Sequence, residues 1–204
     1  MKYLPEENLV KAFNQLAAKN QGNIRGIYGE ARAFKDLKTN PKITREDGTV
    51  LDIDPESLKV GDNVDTPIAT NVQGVDVEGV LVDVSSTGVT AQGGKLFGEV
   101  KNYTSSYTQA SIMKQTKKHF ESSIFTQLNK ATGKWVGNKK PHLHYHWMGD
   151  AFNTPAKVDA RKKWVQKACE DAIDPFPNLD FDCEKDISFK IINEVIDPLT
   201  TKGM

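Results

Sequence analysis

The tripeptide Glu99-Val100-Lys101 combines side chains that can do acid, base and metal chemistry at the spacing of a β-strand. Residues i and i+2 of a strand point to the same side, so we expect the Glu99 carboxylate and the Lys101 ammonium to lie side by side. The carboxylate and the backbone carbonyl of Val100 offer the hard oxygens that Mg²⁺ prefers. The ammonium can orient an attacking water, help to deprotonate it, or neutralise charge developing on phosphorus. The tripeptide therefore predicts chemistry suited to hydrolysing a phosphodiester, although Glu-x-Lys also occurs by chance in surface strands.

Asp76 is the first candidate for a second carboxylate beside Glu99. It follows Gly74-Val75 and leads into a valine-rich segment typical of a strand, and a hairpin would bring it next to the Glu-x-Lys strand. The simpler explanation is a turn or edge residue. Two other acids of the same strand, Glu78 and Asp83, remain alternatives as the metal ligand.

Glu30 is the candidate for a third carboxylate. It lies three residues after Ile27 and four before Phe34, on or beside the apolar stripe of a predicted helix. A carboxylate near a buried face costs free energy unless it is paired or binds a metal ion. We therefore expect Glu30 to support the same site, whereas the ordinary explanation is a boundary residue that reaches water.

Local patterns predict the elements that carry these residues. Apolar residues at helical spacing predict helices over 6–19, 26–38, 107–130 and 156–172, with a break at 20–23. Alternating or β-branched runs predict short strands within 39–71, a turn at 60–63, strands over 72–86, 95–101, 142–148 and 187–196, and turns at Gly88 and Gly93-Gly94. The expected architecture is α/β or α+β, with a mixed central β-sheet flanked by helices. We expect an N-terminal helical segment (1–25), a core (26–172) and an acidic C-terminal segment (173–204) packed on the core.

The 204-residue chain has zero net charge but an uneven charge distribution. Residues 101–167 hold 13 Lys and Arg against 3 Asp and Glu, whereas residues 168–204 hold 3 against 9. So basic a segment indicates an anionic partner, or a surface neutralised by the acidic end, although a solvated helix face is the simpler explanation. No apolar run approaches the length of about 18 residues that predicts a membrane span. The opening residues lack the apolar stretch of a secretory signal.

Histidines and cysteines offer two further candidate sites. His142, His144 and His146 should share one face of a strand, and three imidazoles on a face can bind zinc. Because same-face neighbours are about 7 Å apart along a strand, we expect instead a polar face near phosphate or a plain surface. Two cysteines, Cys169 and Cys183, argue against a disulfide framework but leave a single bridge open.

Three motifs together resemble the PD-(D/E)xK, or restriction-endonuclease-like, nuclease superfamily: Gly29-Glu30-Ala31, Gly74-Val75-Asp76 and Glu99-Val100-Lys101. The resemblance covers residues 26–120. The most similar patterns are those of Holliday-junction resolvases and of the C-terminal nuclease toxin domains of bacterial polymorphic and contact-dependent inhibition toxins. Those toxin families often have Gly after the Asp, where this chain has Val77.

The resemblance implies a restriction-endonuclease-like core, a divalent metal ion (Mg²⁺ or Mn²⁺) and hydrolysis of nucleic acid, with DNA as first and tRNA as second substrate. Asp76, Glu99 and the Val100 carbonyl would bind the ion, Lys101 would act on the water, and Glu30 would support the site. Hydroxyls of residues 103–107 would contact phosphate oxygens. The other residues expected to contact nucleic acid are Lys114, Gln115, Lys117, Lys118, Lys139, Lys140, Lys162 and Lys163.

The expected setting is interbacterial competition. The chain would act in the cytoplasm of a target cell after delivery within a larger secreted protein, and a cognate immunity protein would be its partner. A phage or repair nuclease of the resolvase type is the alternative. Two non-enzymatic alternatives are a nucleic-acid-binding module in which Glu99 and Lys101 form a surface ion pair, and an interaction protein whose charged blocks pair with each other.

Overall fold

The computed structural model describes residues 21–60, 76–85, 88–103 and 107–192. Within these ranges the fold is mixed α+β, with a seven-stranded mixed sheet, a separate two-stranded ribbon and three α-helices. The mixed sheet flanked by helices agrees with the expected architecture. The predicted helix over 6–19, most of the predicted turn at 60–63 and the hydroxyl residues 104–106 lie outside the described residues.

The described residues up to 102 form one α-helix and five strands. They are helix α1 (Gln21–Thr39) and strands β1 (Lys42–Thr44), β2 (Val50–Ile53), β3 (Lys59–Val60), β4 (Val77–Ser85) and β5 (Gly88–Asn102).

The described residues from 107 to 192 form two α-helices and four strands. In order they are helix α2 (Gln109–Ser122), the ribbon strands β6 (Leu128–Asn129) and β7 (Lys134–Trp135), strand β8 (His142–Met148), helix α3 (Pro155–Ile173) and strand β9 (Ile187–Ile192).

The sheet changes from antiparallel to parallel at β5. Its order is β1-β2-β4-β5-β8-β9, and β3 pairs with β4 beside β2. Strands β4 and β5 are antiparallel, whereas β5, β8 and β9 are parallel. The carboxyl ends of the three parallel strands and the start of β4 therefore lie along one edge, which we call the carboxyl edge. Crevices at this edge of α/β sheets are common ligand sites.

Helices cover both faces of the sheet. On the α1 face, Ala33 and Leu37 of α1 pack with Leu96, Val100 and Met148 of the sheet. On the α2–α3 face, the apolar core includes strand residues Phe97, Leu143 and Trp147 and helix residues Ile112, Phe120 and Val165. Because side chains alternate along a strand, Glu99 and Lys101 belong to the α2–α3 face and Val100 to the α1 face.

Several boundaries differ from the sequence-based expectation. The turn predicted at Gly93-Gly94 is wrong, because β5 runs through both residues. A Cβ on Gly94 would collide with the Lys140 carbonyl, so these glycines serve close backbone packing within the sheet.

The break at 20–23 is also wrong for residues 21–23, since α1 begins at Gln21. Helix α2 ends at Ser122 rather than near 130, because Ser123 turns out of the helix and a 3₁₀ turn and the β6–β7 ribbon follow. The expected strand over 142–148 is confirmed.

The acidic segment after α3 contributes to the central sheet. Strand β9 pairs in parallel with β8, and the bridge that the cysteine count left open joins Cys169 of α3 to Cys183, with Cα atoms 5.9 Å apart. A bridge closing a loop of this length stabilises a fold by about 3 kcal/mol in the chain-entropy account. The segment from 174 to 186 is therefore tied to α3 on the α2–α3 face.

Candidate active site

The start of β4 and the end of β5 meet at the carboxyl edge, and Asp76 lies where β4 begins. The Asp76 N–H donates to the Gly98 carbonyl (2.8 Å), and the Asp76 carboxylate accepts the Val100 N–H (2.7 Å). The side chain thus takes the position that the next ladder hydrogen bond would occupy. The N–H and C=O groups of one strand residue point to the same side, so the Val100 carbonyl also faces the strand that Asp76 leads into.

Glu99 and Lys101 form a buried ion pair on the α2–α3 face. Glu99 is 2% and Lys101 8% exposed, and the Lys101 ammonium contacts Oε1 of Glu99. Burial lowers the pKa of Lys101, while the carboxylates of Asp76 and Glu30 act in the opposite direction. Burying such a pair is costly unless further hydrogen bonds compensate, so its presence at this edge requires an explanation beyond stability.

Glu30 reaches the same group of charges from α1. The preceding residue, Gly29, packs so closely on β5 that a Cβ there would lie 3.0 Å from the Asn102 Cβ. Burial, and then the charge of Asp76, raise the pKa of Glu30 to about 7, although the Lys101 ammonium opposes this. Burial also raises the pKa of Asp76, against the influence of Lys101 and of the Val100 N–H. Glu30, Asp76 and Lys101 therefore act on one another electrostatically.

His119 is a member of this site that the sequence analysis missed. Its Nε2 lies 2.9 Å from Oε2 of Glu99, and its Nδ1 lies 3.5 Å from the Tyr145 hydroxyl. Burial, and then the Lys101 ammonium, lower the pKa of His119 to about 3, so the imidazole is neutral at pH 7 and the contact with Glu99 is a hydrogen bond. The spacing of Ile112, Thr116 and His119 on one helix face was the available signal.

The donor atoms of the site are of the type that binds hard cations. The carboxylates of Glu30, Asp76 and Glu99 and the Val100 carbonyl are oxygen ligands, and the three acids share one ammonium, that of Lys101. Burial, and to a lesser extent the charge of Asp76, raise the pKa of Glu30. In the described part of the chain, no three His, Cys, Asp or Glu side chains already lie close enough together to hold a metal ion. Binding one would therefore require these side chains to move closer together.

The alternative acids of β4 lie farther from this cluster. Glu78 pairs across the hairpin with Phe97, one step inward from the edge. Asp83 pairs with Ala91, and seven residues of strand separate it from Asp76, or about 23 Å. Asp76 is the one of the three that bonds the backbone of Val100.

The basic side chains expected to contact nucleic acid fall into separate places. Lys114, Lys117 and Lys118 are exposed on the outer side of α2. Lys139 and Lys140 lie beyond the opposite edge of the sheet, next to Gly94, and Lys140 pairs with Asp180 and Asp186. On α3, Lys162 pairs with Glu46, whereas Lys163 is exposed.

Two tyrosines link α2 to the site. The rings of Tyr103 and Tyr107 stack with centroids 4.8 Å apart, and the Tyr107 hydroxyl donates to Oε1 of Gln115. Burial, and then the Asp76 charge, raise the pKa of Tyr103. Gln115 therefore contacts Tyr107.

The three histidines of β8 form a second buried cluster, on the α1 face. His142, His144 and His146 are 1–2% exposed, so the expectation of a solvent-facing surface is wrong. His142 and His144 both contact the Ser188 hydroxyl, at 2.8 and 2.6 Å. Nε2 of His146 lies 3.5 Å from Oδ2 of Asp36, which pairs with Lys190. Burial, and then the charge of Arg45, lower the pKa of His142 to about 3.

Comparison with known proteins assigns no family to this arrangement. No protein-family model matches the chain, and no curated protein or solved structure matches it significantly. Among the helices of the described residues, none is long and apolar enough to cross a membrane.

Proposed function

We propose that the chain is a metal-dependent nuclease of the PD-(D/E)xK type that hydrolyses phosphodiester bonds of nucleic acid. The observation that carries the proposal is the buried Glu99–Lys101 ion pair at the carboxyl edge, with Glu30 and Asp76 near enough to act on Lys101 electrostatically. These residues come from three segments far apart in the sequence, and a buried ion pair with two half-buried acids beside it has no evident structural purpose. The mixed sheet with helices on both faces is the kind of scaffold that the resemblance implies.

The donor atoms define which residues would hold the ion. Asp76, Glu99 and the Val100 carbonyl would bind Mg²⁺ or Mn²⁺, and Glu30 would support the same ion or a second one. When bound, such an ion polarises a phosphoryl oxygen and makes a coordinated water more acidic.

Lys101 and Glu30 would handle protons around the reacting phosphate. The lowered pKa of Lys101 brings its amine closer to the state that can accept a proton from water, which a general base requires. In the protonated state the same group neutralises charge on the phosphate oxygens. Glu30, with a pKa of about 7, can exchange a proton near neutral pH.

The proposed substrate is DNA first and tRNA second. Lys114, Lys117 and Lys118 are exposed on α2, which follows the Glu-x-Lys strand directly, and can contact backbone phosphates without reading sequence. Lys140 and Lys162 already pair with carboxylates, so they are weaker candidates. An interbacterial toxin acting in the cytoplasm of a target cell, with an immunity protein as partner, remains the proposed setting.

A binding module without catalysis is the second candidate. The exposed lysines of α2 would serve it equally well. The binding-module hypothesis, however, treats Glu99 and Lys101 as an ion pair on the surface, whereas both side chains are buried. A module that only grips phosphate also gains nothing from carboxylates at its binding edge, which repel the ligand.

Plasmid DNA and total tRNA, incubated with the chain in Mg²⁺ and in EDTA, test the proposal. We expect cleavage in Mg²⁺ only, abolished in Glu99→Gln and Lys101→Met, while binding in EDTA persists. Glu121→Gln and Lys134→Ala, which change exposed residues of the same types, are the matched controls and should cleave like the unchanged chain. Binding of either nucleic acid without cleavage would support the binding module. If the chain neither binds nor cleaves nucleic acid, the remaining explanation is a protein whose charged blocks pair with each other.

A further inference from the structure

The two oxygens of the Glu99 carboxylate have different partners. Oε1 contacts the Lys101 ammonium, whereas Oε2 lies 2.9 Å from Nε2 of His119. We infer that His119 is a positioning residue that holds Oε2 of Glu99 and so fixes the plane of the carboxylate, with Oε1 turned to the side where Lys101 lies and where a divalent metal ion would bind. This inference rests on the proposed nuclease function, and it assigns a role to a residue outside the motifs of the sequence.

The hydrogen-bond directions are mutually consistent. For Nε2–H to donate to Glu99, Nδ1 must be the unprotonated nitrogen, and it faces the Tyr145 hydroxyl at 3.5 Å. The Tyr145 oxygen in turn lies 2.9 Å from the Thr116 hydroxyl, which can donate to it. A buried chain of donors therefore runs from Thr116 through Tyr145 and His119 to Glu99.

The fold places these groups over Glu99 by its connectivity. Strands β5 and β8 are parallel neighbours in which Glu99 is paired with Tyr145, so both side chains point to the α2–α3 face. Helix α2 connects these two strands and crosses above them, and its inward positions include Thr116 and His119. The contact with Glu99 is thus made by the element that must cover it.

Burial makes the orientation firm. Thr116, His119 and Tyr145 are 1–4% exposed, and Glu99 is 2% exposed. A buried polar group without a partner is costly, so each group restricts the next. Fixing the ring of a histidine or the plane of a carboxylate in this way raises metal affinity, and loss of such a partner typically costs about 10- to 100-fold.

Metal binding is the measurement that separates this role from ordinary packing. We would titrate the full chain with Mn²⁺, in the absence of nucleic acid, and follow free Mn²⁺ by electron paramagnetic resonance. We expect Mn²⁺ binding to be about 10-fold or more weaker in His119→Ala. His119→Gln should recover most of the affinity, because its side-chain amide nitrogen can donate from a position near that of Nε2. Tyr145→Phe, which keeps the ring and removes the hydroxyl, should fall between these and the unchanged chain.

The controls keep failure of this inference distinct from failure of the nuclease proposal. Each variant is also compared in thermal unfolding and in DNA binding in EDTA. If His119 only orients the metal ligand, these two quantities should change much less than the Mn²⁺ affinity. Should His119→Ala bind Mn²⁺ as tightly as the unchanged chain while Glu99→Gln does not, the role of His119 is overturned and the metal site stands. Unchanged Mn²⁺ binding in both variants overturns the metal site itself. If His119→Ala does not fold, His119→Gln and His119→Leu decide, since only the first can donate to Glu99 and equal affinities would overturn the inference.

Discussion

The two faces of the sheet bury polar side chains of neighbouring strands in opposite ways. On the α2–α3 face, Glu99 and Lys101 form a buried pair near the carboxyl edge, where Asp76 and, from α1, Glu30 act on Lys101 electrostatically. On the α1 face, His142 and His144 close around the Ser188 hydroxyl, and His146 faces Asp36. In the first cluster, burial and then the charge of Asp76 raise the pKa of Glu30, whereas in the second cluster burial lowers the pKa of each histidine.

The charge of its members distinguishes a buried polar cluster with a structural role from one with a chemical role. Neutral imidazoles bonded to a hydroxyl can be buried without a charge that needs a partner, so the histidine cluster fits a structural role. Carboxylates that share one ammonium leave charge uncompensated, and that charge is reduced by taking up a proton or a cation. The two faces should therefore respond oppositely to pH and to metal.

The largest expected effect is on the acid-rich side. Asp76→Asn should reduce Mg²⁺-dependent cleavage by about 1000-fold or more, equal to about 4 kcal/mol of transition-state stabilisation, because a metal-binding carboxylate is lost. Its folding should change little, because the amide oxygen can still accept the Val100 N–H. Cleavage of plasmid DNA and urea unfolding measure the two effects. If Glu78→Gln or Asp83→Asn removes activity instead, the metal ligand lies elsewhere on β4.

The histidine cluster should make the chain sensitive to acid. Burial lowers the pKa of His142 from 6.5 to about 3, so the unfolded chain binds more protons. The free energy of unfolding that neutral His142 contributes is present above about pH 6.5 and is lost as the pH falls towards 3. His142→Gln, which keeps a donor for Ser188, should reduce the slope of unfolding free energy against pH in this window by up to about 1.4 kcal/mol per pH unit. Urea unfolding at a series of pH values is the measurement, with Glu121→Gln as control; an unchanged slope would contradict a buried, neutral His142.

Glu30 should give the opposite pH dependence. Its pKa is raised from 4.5 to about 7, so the folded chain binds more protons, and the stability that Glu30 contributes is present below pH 4.5 and lost as the pH rises through 7. In EDTA, Glu30→Gln should therefore gain roughly 3 kcal/mol on the unchanged chain between pH 4 and pH 8. Mg²⁺ should shrink this gain by stabilising the ionised acid. Equal pH profiles for the two proteins would show that Glu30 is not held in the acid-rich group.

The strands that carry chemistry were predictable because their patterns are local. The alternation in 142–148 predicts β8 with its observed bounds, and Glu99 and Lys101 share a face as their spacing requires. Gly93-Gly94 misled, because a glycine pair is typical of turns, whereas here Gly94 makes room for the backbone at Lys140. His119 was missed because nothing in its own segment distinguishes a histidine that covers Glu99 from one that fills the core.

Local spacing is enough to say which side chains share a face: residues two apart on a strand, or three and four apart on a helix, point the same way whatever packs against them. Which residues pack against each face, in contrast, depends on the tertiary structure. It set the histidines of β8 against Ser188 and Asp36, brought Asp76 to the backbone of Val100, and laid His119 over Glu99. Those pairings join segments 20 to 110 residues apart, and they depend on strand order and on the face each helix covers, which no local pattern contains.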